Sequence, residues 1–501
     1  MKQLDNSSPD LHDARHERLI SLNNLYIQSL VWLAFPMFIF LYGWMRWWIS
    51  VPFCLLLLFS GLRIIMRLRA DGGHGAKTVI MNMGSDKWSD VKVSGTLVTT
   101  IVIIGIVLVF FGMGGFVAQH PDYFCRNAVF FDLAKKDWPV TYDGSEPRLL
   151  CYYFAFWLPS AVASKVTGYI MAGDLMQLLW GLWGMSIGYC WLVSYLGGNA
   201  KWYVFPIVLL FGFWDAPLYG EFHGYLSEIF GVGRDEFYSN YMTFSLIPQI
   251  RMIFNQTISL WVALPVLYRS RENPVALLLI SSLLFLYSPL PCVGISLAVL
   301  YWLIRGGKRS LTIENLTGLL LMAVSGLFYM SNNSADGVGA NHRAPWYIVI
   351  LLGVMFFIVA IGVLLPIVWN RIGRNRTFYI LVATVFFLPL LALGKNEDLC
   401  RRAMIPMTIM LTYAGMWEIG NWKSLSKWKH MVLPIVVAIG MYDACDAIDE
   451  TVERIEQFRE EGRGPKLGYV MGKLDQPDAY PYYDNFIAEG DSFYTRYLMK
   501  K

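Results

Sequence analysis

Charge-free apolar runs follow one another along nearly the whole chain, separated by short polar connections. "LVTTIVIIGIVLVFFGMGGFVA" (97–118) and "WYIVILLGVMFFIVAIGVLLPIVW" (346–369) are two of them. A helix of about 20 such residues crosses the roughly 30 Å hydrocarbon core of a bilayer. The strand-type alternation over about ten residues that marks a membrane barrel is absent. The pattern predicts spanning helices at roughly 27–45, 50–66, 96–118, 171–196, 202–215, 246–268, 274–288, 290–305, 312–330, 346–370, 377–394, 403–421 and 430–445. The fold class expected is therefore an all-α polytopic membrane protein with about 13 transmembrane helices.

The polar connections set an orientation. "RIIMRLRADGGHGAK", "RSREN", "RGGKRS", "NRIGRNR" and "NWKSLSKWKHM" are short and basic, and basic loops stay in the cytoplasm. Alternation then places 119–170, 215–245, 331–345, the turn at 395–402 and the tail after 446 outside. One segment tests this order. "RLLCYYFAFWLPSAVASKVTGYI" (148–170) is apolar enough to be a span, but Pro159, Lys165 and its serines suit an interfacial helix with aromatics turned to lipid. Four divisions result: a cytoplasmic N-terminal segment (1–26), an N-terminal hairpin with its cytoplasmic loop (27–94), a transmembrane core (95–445) and an external tail (446–501).

Composition agrees. Of 501 residues, 56% are hydrophobic and only 16% charged, against about 25% charged in soluble domains. The net charge of +4 carries no message about a partner, and nucleic acid is not expected. The seven cysteines show no metal spacing and mostly sit in apolar runs, where cysteine acts as a small hydrophobe, so no structural disulfide is expected. Residues 1–24 lack a cleavable signal pattern, and the first apolar run is expected to remain as an anchor. "GGHG" and "GMGG" lack the strand–helix setting of a phosphate loop, and the histidines lack metal spacing.

The unusual polar residues gather on the external side. Asp122, Arg126 and Asn127 follow the span that ends near 118, in a loop whose Trp, Tyr and Phe content predicts packed short helices with Trp138-Pro139 as the turn. Asp215 ends a short span and precedes Glu221 and His223. Gln249, Arg251, Asn255 and Gln256 begin the next span, and Lys395, Asp398, Arg401 and Arg402 cluster before a later one. Each has an ordinary reading: a carboxylate at a span end is commonly a solvated helix terminus, and an Asn-Gln pair serves as helix–helix glue. Arg401 and Arg402 stand out because they run against the positive-inside bias. The run "DETVERIEQFREEGRGPK" reads as a solvated helix end and linker.

Three short stretches carry a resemblance. "DYFCRNAVFFDLAKKDWPVTY" (122–142) is similar to a first-loop pattern D-x-x-K-H-N-A-x-x-x-D-L…W-P-V-x-Y, with Arg126 at the usual histidine. "NEDLCRRAMIP" (396–406) is similar to N-D-x-x-x-R-A-S-I-P, and "DSFYTRYLMKK" (491–501) to a C-terminal S-F-F-x-K-Y-L. Together they resemble the GT-C superfamily of polyprenyl-phosphate-sugar-dependent glycosyltransferases, in an uncharacterised bacterial branch akin to protein O-mannosyltransferases and the lipid A aminoarabinose transferase. The likeness covers about 95–501, leaving the N-terminal hairpin as an addition.

The resemblance implies a GT-C-like core and a site facing outward from the bacterial cytoplasmic membrane. Asp122 would be the catalytic base, with Asp215 as a second catalytic carboxylate that orients the acceptor or holds a divalent cation. Arg126, Asn127, Asn255, Gln256, Asp398, Arg401 and Arg402 would bind substrate, with Arg402 on the lipid phosphate. The implied partners are a polyprenyl-phosphate-linked sugar, membrane lipid, and a glycan, lipid or protein acceptor. The competing classes are an O-antigen polymerase or ligase, a polytopic lipid or glycan transporter, and a non-catalytic scaffold. A transporter predicts ionisable residues at mid-span and internal symmetry, which the sequence lacks.

Overall fold

The computed structural model describes residues 18–70, 88–142, 148–213, 241, 243–333, 339–340, 345–392, 398–467 and 485–500. Of the described residues 76% are helical, and among them five helices are long and apolar enough to cross a membrane: Leu22–Trp44, Trp47–Ala70, Leu246–Ser270, Pro289–Ser310 and Lys427–Glu460. Shorter apolar helices lie between them. This is an α-helical membrane protein.

The elements that frame the site are α1 (Leu22–Trp44), α2 (Trp47–Ala70), α3 (Gly95–Phe110), α4 (Tyr123–Lys135), α5 (Leu158–Thr167), α6 (Ile170–Tyr195) and α7 (Val204–Leu210). They continue with α8 (Leu246–Ser270), α9 (Leu277–Tyr287), α10 (Pro289–Gly306), α11 (Ile313–Tyr329), α12 (Trp346–Phe356), α13 (Leu365–Ile372) and α14 (Arg376–Phe387). Last come α15 (Asp398–Ala403), α16 (Ile405–Gly420), α17 (Lys427–Gly440) and α18 (Tyr442–Glu460). Side-chain oxygens start several of them: Ser21 accepts from the Asn24 N–H, Ser94 from Leu97 and Thr312 from Asn315, each at 3.2 Å.

α8 is the axis of the bundle. It is buried on nearly every side, carries both apolar and polar residues inward, and kinks at Ile253 (φ −135°, ψ 34°). Helix α1 packs inside the core: the Trp32 ring stacks between Trp180 (5.3 Å) and Tyr287 (4.8 Å). α2 is tied to α11 by Arg63 and Arg67, which reach the fully buried Glu314 at 3.0 and 3.2 Å. Burial of a carboxylate is costly unless such partners compensate it. The N-terminal hairpin and the rest of the bundle thus share one apolar interior.

Polar contacts sort the connections into two ends. At one end Asp90 accepts from the Leu22 N–H, Ser194 donates to Ser89, Lys201 donates to Gly420, and Asn375 donates to Tyr268. The basic connections lie here. At the other end the C-terminal residues return to the first helix hairpin, where the Arg46 N–H donates to Leu498 and that of Lys500 to Trp44. There β1 (Thr141–Tyr142), β2 (Arg148–Leu150) and β3 (Ile487–Glu489) form a small antiparallel sheet.

Segment 148–170 lies wholly at this second end. Its helix α5 is ten residues, about 15 Å, half of what a span needs. Lys165 Nζ donates to the Lys136 carbonyl in the same loop. Gly168 ends α5 in the left-handed region (φ 79°), and α6 then turns back into the bundle. Gly173 permits that close return, since a Cβ there would lie 2.5 Å from Phe130 Cζ and 2.7 Å from the Ser160 carbonyl.

Three expectations are corrected. The aromatics of 148–170 do not face lipid: Tyr152, Phe154, Phe156 and Trp157 are buried, packed on Trp44, Trp32, Phe254 and Phe328. Burying large rings against other rings gains both area and edge-to-face geometry, which outweighs an interfacial position. The apolar run 346–369 is not one regular helix, because a π-helical turn at Phe357–Ile361 separates α12 from α13. The acidic run after 446 is more than a solvated end, since α18 presses Ala447, Thr451 and Phe458 into the protein. Among the described residues no two cysteines are joined in a disulfide.

Candidate active site

The span α3 ends in "GMGG", whose glycines at 112, 114 and 115 all have positive φ and reverse the chain tightly. Gln119 fixes this reversal by donating to the Gly112 carbonyl at 2.9 Å. The same side chain accepts from Asn127 Nδ2 at 2.7 Å and from the Leu467 N–H at 3.1 Å, and Asn127 also donates to the Leu467 carbonyl. Asn127 is therefore a buried clamp that binds α4 to the C-terminal region. Its position sets where the first turn of α4 points.

That first turn presents Asp122. Its side chain is 49% exposed, while Arg126, one turn on, is buried. Arg126 Nη2 donates to Asp122 Oδ2 at 3.3 Å, and Nη1 has no partner among the described residues. The guanidinium lies 5.7 Å from the Tyr123 ring centre and 5.6 Å from that of Phe254 on α8. Cation–π attraction holds it in this aromatic slot and leaves one donor edge uncommitted.

His120 completes the turn. Its Nδ1 accepts the Asp122 backbone N–H at 3.3 Å and stands 3.8 Å from Asp122 Oδ1. Burial lowers the His120 pKa to about 4, against the pull of Asp122 and aided by Arg251 and Arg126. The imidazole is therefore neutral near pH 7. Arg251, from the start of α8, pairs with Glu450 of α18, and Arg454 Nε donates to the Gln119 carbonyl at 2.6 Å. Three arginines and two carboxylates from the first loop, α8 and α18 thus meet around Asp122 and His120.

Arg402 approaches the same end through aromatic residues. Its guanidinium lies 5.6 Å from the Tyr153 ring centre and donates to the Tyr153 hydroxyl. Tyr153 stacks on Tyr152 at 3.8 Å, and Tyr152 continues through Trp157 to Phe254, the ring that holds Arg126. Burial raises the Tyr152 pKa well above its ordinary value, while both Arg402 and Arg126 act to lower it. One tyrosine therefore lies in the field of both arginines.

The other expected residues fall at varied places. Arg401 shares α15 with Arg402. Asp398 begins α15, but its side chain lies outside the described residues, as does Asp215 with Glu221 and His223. Asn255 and Gln256 are fully buried just beyond the α8 kink, beside Phe254. Asn255 Nδ2 and both polar atoms of the Gln256 side chain have no partner, and each such buried group costs about 1–3 kcal/mol. Among the described residues no three His, Cys, Asp or Glu side chains gather as a metal-ligand set.

His120, Glu450, Arg454, Tyr152 and Tyr153 are participants the sequence reading passes over. His120 had a local signal, two residues before Asp122. Glu450 and Arg454 had only a helical spacing in a charged run. No family model, curated protein or solved structure matches the chain. The likeness to GT-C enzymes therefore stays with the motif residues themselves.

Proposed function

We propose that the protein is a GT-C-like membrane glycosyltransferase, with about 13 spans by the hydropathy pattern, working on the outer side of the bacterial cytoplasmic membrane. It moves a sugar from a polyprenyl-phosphate donor to a hydroxyl-bearing glycan, lipid or protein acceptor. The observation that carries this reading is the pairing of a half-exposed carboxylate, Asp122, with guanidinium groups at the same end of the bundle.

In the reaction the acceptor hydroxyl attacks the anomeric carbon, a C–O bond to the acceptor forms and the C–O bond to phosphate breaks. Asp122 takes the hydroxyl proton, and the phosphate leaves with its lipid as an anion. Arg402 neutralises the developing charge, since a guanidinium fork matches phosphate oxygens. Tyr153 supports it by holding the guanidinium from one side. Neutral His120 accepts the Asp122 backbone N–H and fixes the turn that presents the carboxylate. Arg126, already turned toward Asp122, holds the carboxylate at the rim by its hydrogen bond.

Transfer from a polyprenyl-phosphate sugar, measured in nanodiscs, tests the reading. Arg402→Lys is expected to weaken donor binding and turnover together, because a point charge does not reproduce the fork. Asp137→Asn, in the same loop, is expected to leave transfer unchanged. Absence of transfer with every lipid-phosphate sugar supplied to folded wild-type protein would overturn it.

A further inference from the structure

The basic end of the bundle holds a half-open cavity whose empty space, counted together with the solvent at its mouth, is about 700 Å³. Trp88, Tyr195, Tyr268, Trp302 and Tyr413 give it aromatic walls, and Arg371 stands among them. The cavity follows α16 from Tyr413 to Pro406, seven residues or about 10 Å of helix. It is separate from the Asp122 site, which lies at the opposite end.

Its polar groups are few: Asn375 and Thr377 are engaged with Tyr268 and Trp302, while Arg371 and Tyr413 are incompletely used. Arg371 lies flat on Trp417, 3.5 Å from the ring centre, and has no acidic partner among the described residues. Stacking fixes the guanidinium plane while leaving its N–H edge able to take an anion. The Tyr413 hydroxyl is buried at 9% residue exposure and has no hydrogen-bond partner among the described residues. Behind the Trp88 wall, Arg269 is buried with its guanidinium 5.2 Å from Trp88 and 5.7 Å from Trp191. Its Nε and Nη1 have no partner among the described residues, while the nearby Asp90 is engaged by the Leu22 N–H. The potential in the cavity is therefore positive and its walls apolar.

We propose that this cavity binds a lipid phosphate, with the phosphate on Arg371, the Tyr413 hydroxyl donating to the ligand, and the first carbons of the hydrocarbon along Met410, Ile409 and Pro406. The shape and the chemistry agree. A water-filled pocket would carry more acceptors, and a soluble anion would leave the apolar stretch uncovered. The basic connections 269–271, 305–309 and 371–376 surround this end and concentrate anionic lipid near it. The proposal does not depend on the transfer reaction.

Native mass spectrometry of the full chain, released from nanodiscs of defined lipid, provides the test. Phosphatidylglycerol, phosphatidylcholine and a polyprenyl phosphate are supplied in separate arms. Wild-type protein is expected to retain one anionic lipid at least tenfold better than phosphatidylcholine. Arg371→Gln is expected to lose that preference, Arg371→Lys to keep part of it, and Ala414→Phe, which fills the cavity, to lose retention of either lipid class. Arg496→Gln, an exposed arginine at the opposite end, leaves this retention unchanged. Retention of phosphatidylglycerol identifies a phospholipid site, and retention of the polyprenyl phosphate alone identifies a second donor-type lipid site. Equal retention of anionic and zwitterionic lipid, or equal retention by wild type, Arg371→Gln and Ala414→Phe, would overturn the proposal.

Discussion

Asp122→Asn separates chemistry from architecture because the structure makes the two effects unequal. The carboxylate is half-exposed and its bond to Arg126 Nη2 is 3.3 Å, so solvent screens the pair. Such ion pairs are worth about 1 kcal/mol or less, and the amide oxygen still offers Arg126 an acceptor. The buried guanidinium also keeps its two aromatic neighbours. A stability loss of about 1 kcal/mol or less is expected, which moves the melting midpoint of a chain this size by no more than about 2–4 °C. Loss of a general base instead lowers turnover by roughly 10²–10⁴, or about 3–5.5 kcal/mol in the barrier. The assay pairs sugar transfer in nanodiscs with thermal unfolding in the same lipid. Turnover at the wild-type level in the folded variant would remove Asp122 as the base. Lost turnover together with a collapse of the melting midpoint would instead make Asp122 a structural residue.

His120 predicts a pH effect on stability. Its folded pKa is depressed to about 4 from an ordinary 6.5, so the unfolded chain takes up the proton first. The stabilisation it gives is complete above about pH 6.5 and fades as pH falls toward 4, by on the order of 3 kcal/mol at most. His120→Gln should flatten that part of a melting-midpoint profile, and an unchanged slope would refute the burial argument. Gly173→Ala should cost about 1–3 kcal/mol by overpacking against Phe130 and Ser160, read as a lowered melting midpoint. A silent substitution there would show that α5 docks more loosely than described. For topology, Val166→Cys and Leu311→Cys place probes at two exposed positions at opposite ends of the bundle. An impermeant maleimide should label the first in intact cells and the second only after lysis, and equal labelling would overturn the sorting of the ends.

Much of the fold was legible because a membrane helix announces itself by length and apolarity. The expected run 246–268 is the helix Leu246–Ser270, and 290–305 is Pro289–Gly306. The fate of 148–170 was legible in part. Pro159 and Lys165 correctly argued against a span, but the burial of Phe154 and Trp157 depends on rings from α1, α8 and α11. No local pattern encodes that choice, since an aromatic cluster suits lipid interface and protein core alike. The break at Phe357–Ile361 was equally hidden, because nothing in an unbroken apolar run marks an extra backbone residue in one turn.

The site divides along the same line. Asp122, Arg126 and Asn127 lie within two turns of one helix, so a short motif contains them, and the structure gives each a distinct task. Asp122 is offered to solvent, Arg126 is sunk between rings, and Asn127 is used to hold Gln119 and Leu467. Proximity in sequence therefore marked the place without distinguishing a rim carboxylate from a structural amide. Arg251, Glu450 and Arg454 reach that place from segments more than a hundred residues away, and only packing of α18 on α8 brings them there. Their spacing is that of ordinary charged helix ends. What sets the group apart is the burial of Arg251, which is enclosed at the end of a helix with almost no exposed surface, and a charge so placed needs its partner. Because Glu450 pairs with Arg251 and both charges act on His120, Glu450→Gln should alter the acidic limb of the stability profile while leaving lipid retention at the basic end intact. An unaltered limb would mean that His120 is governed by burial alone.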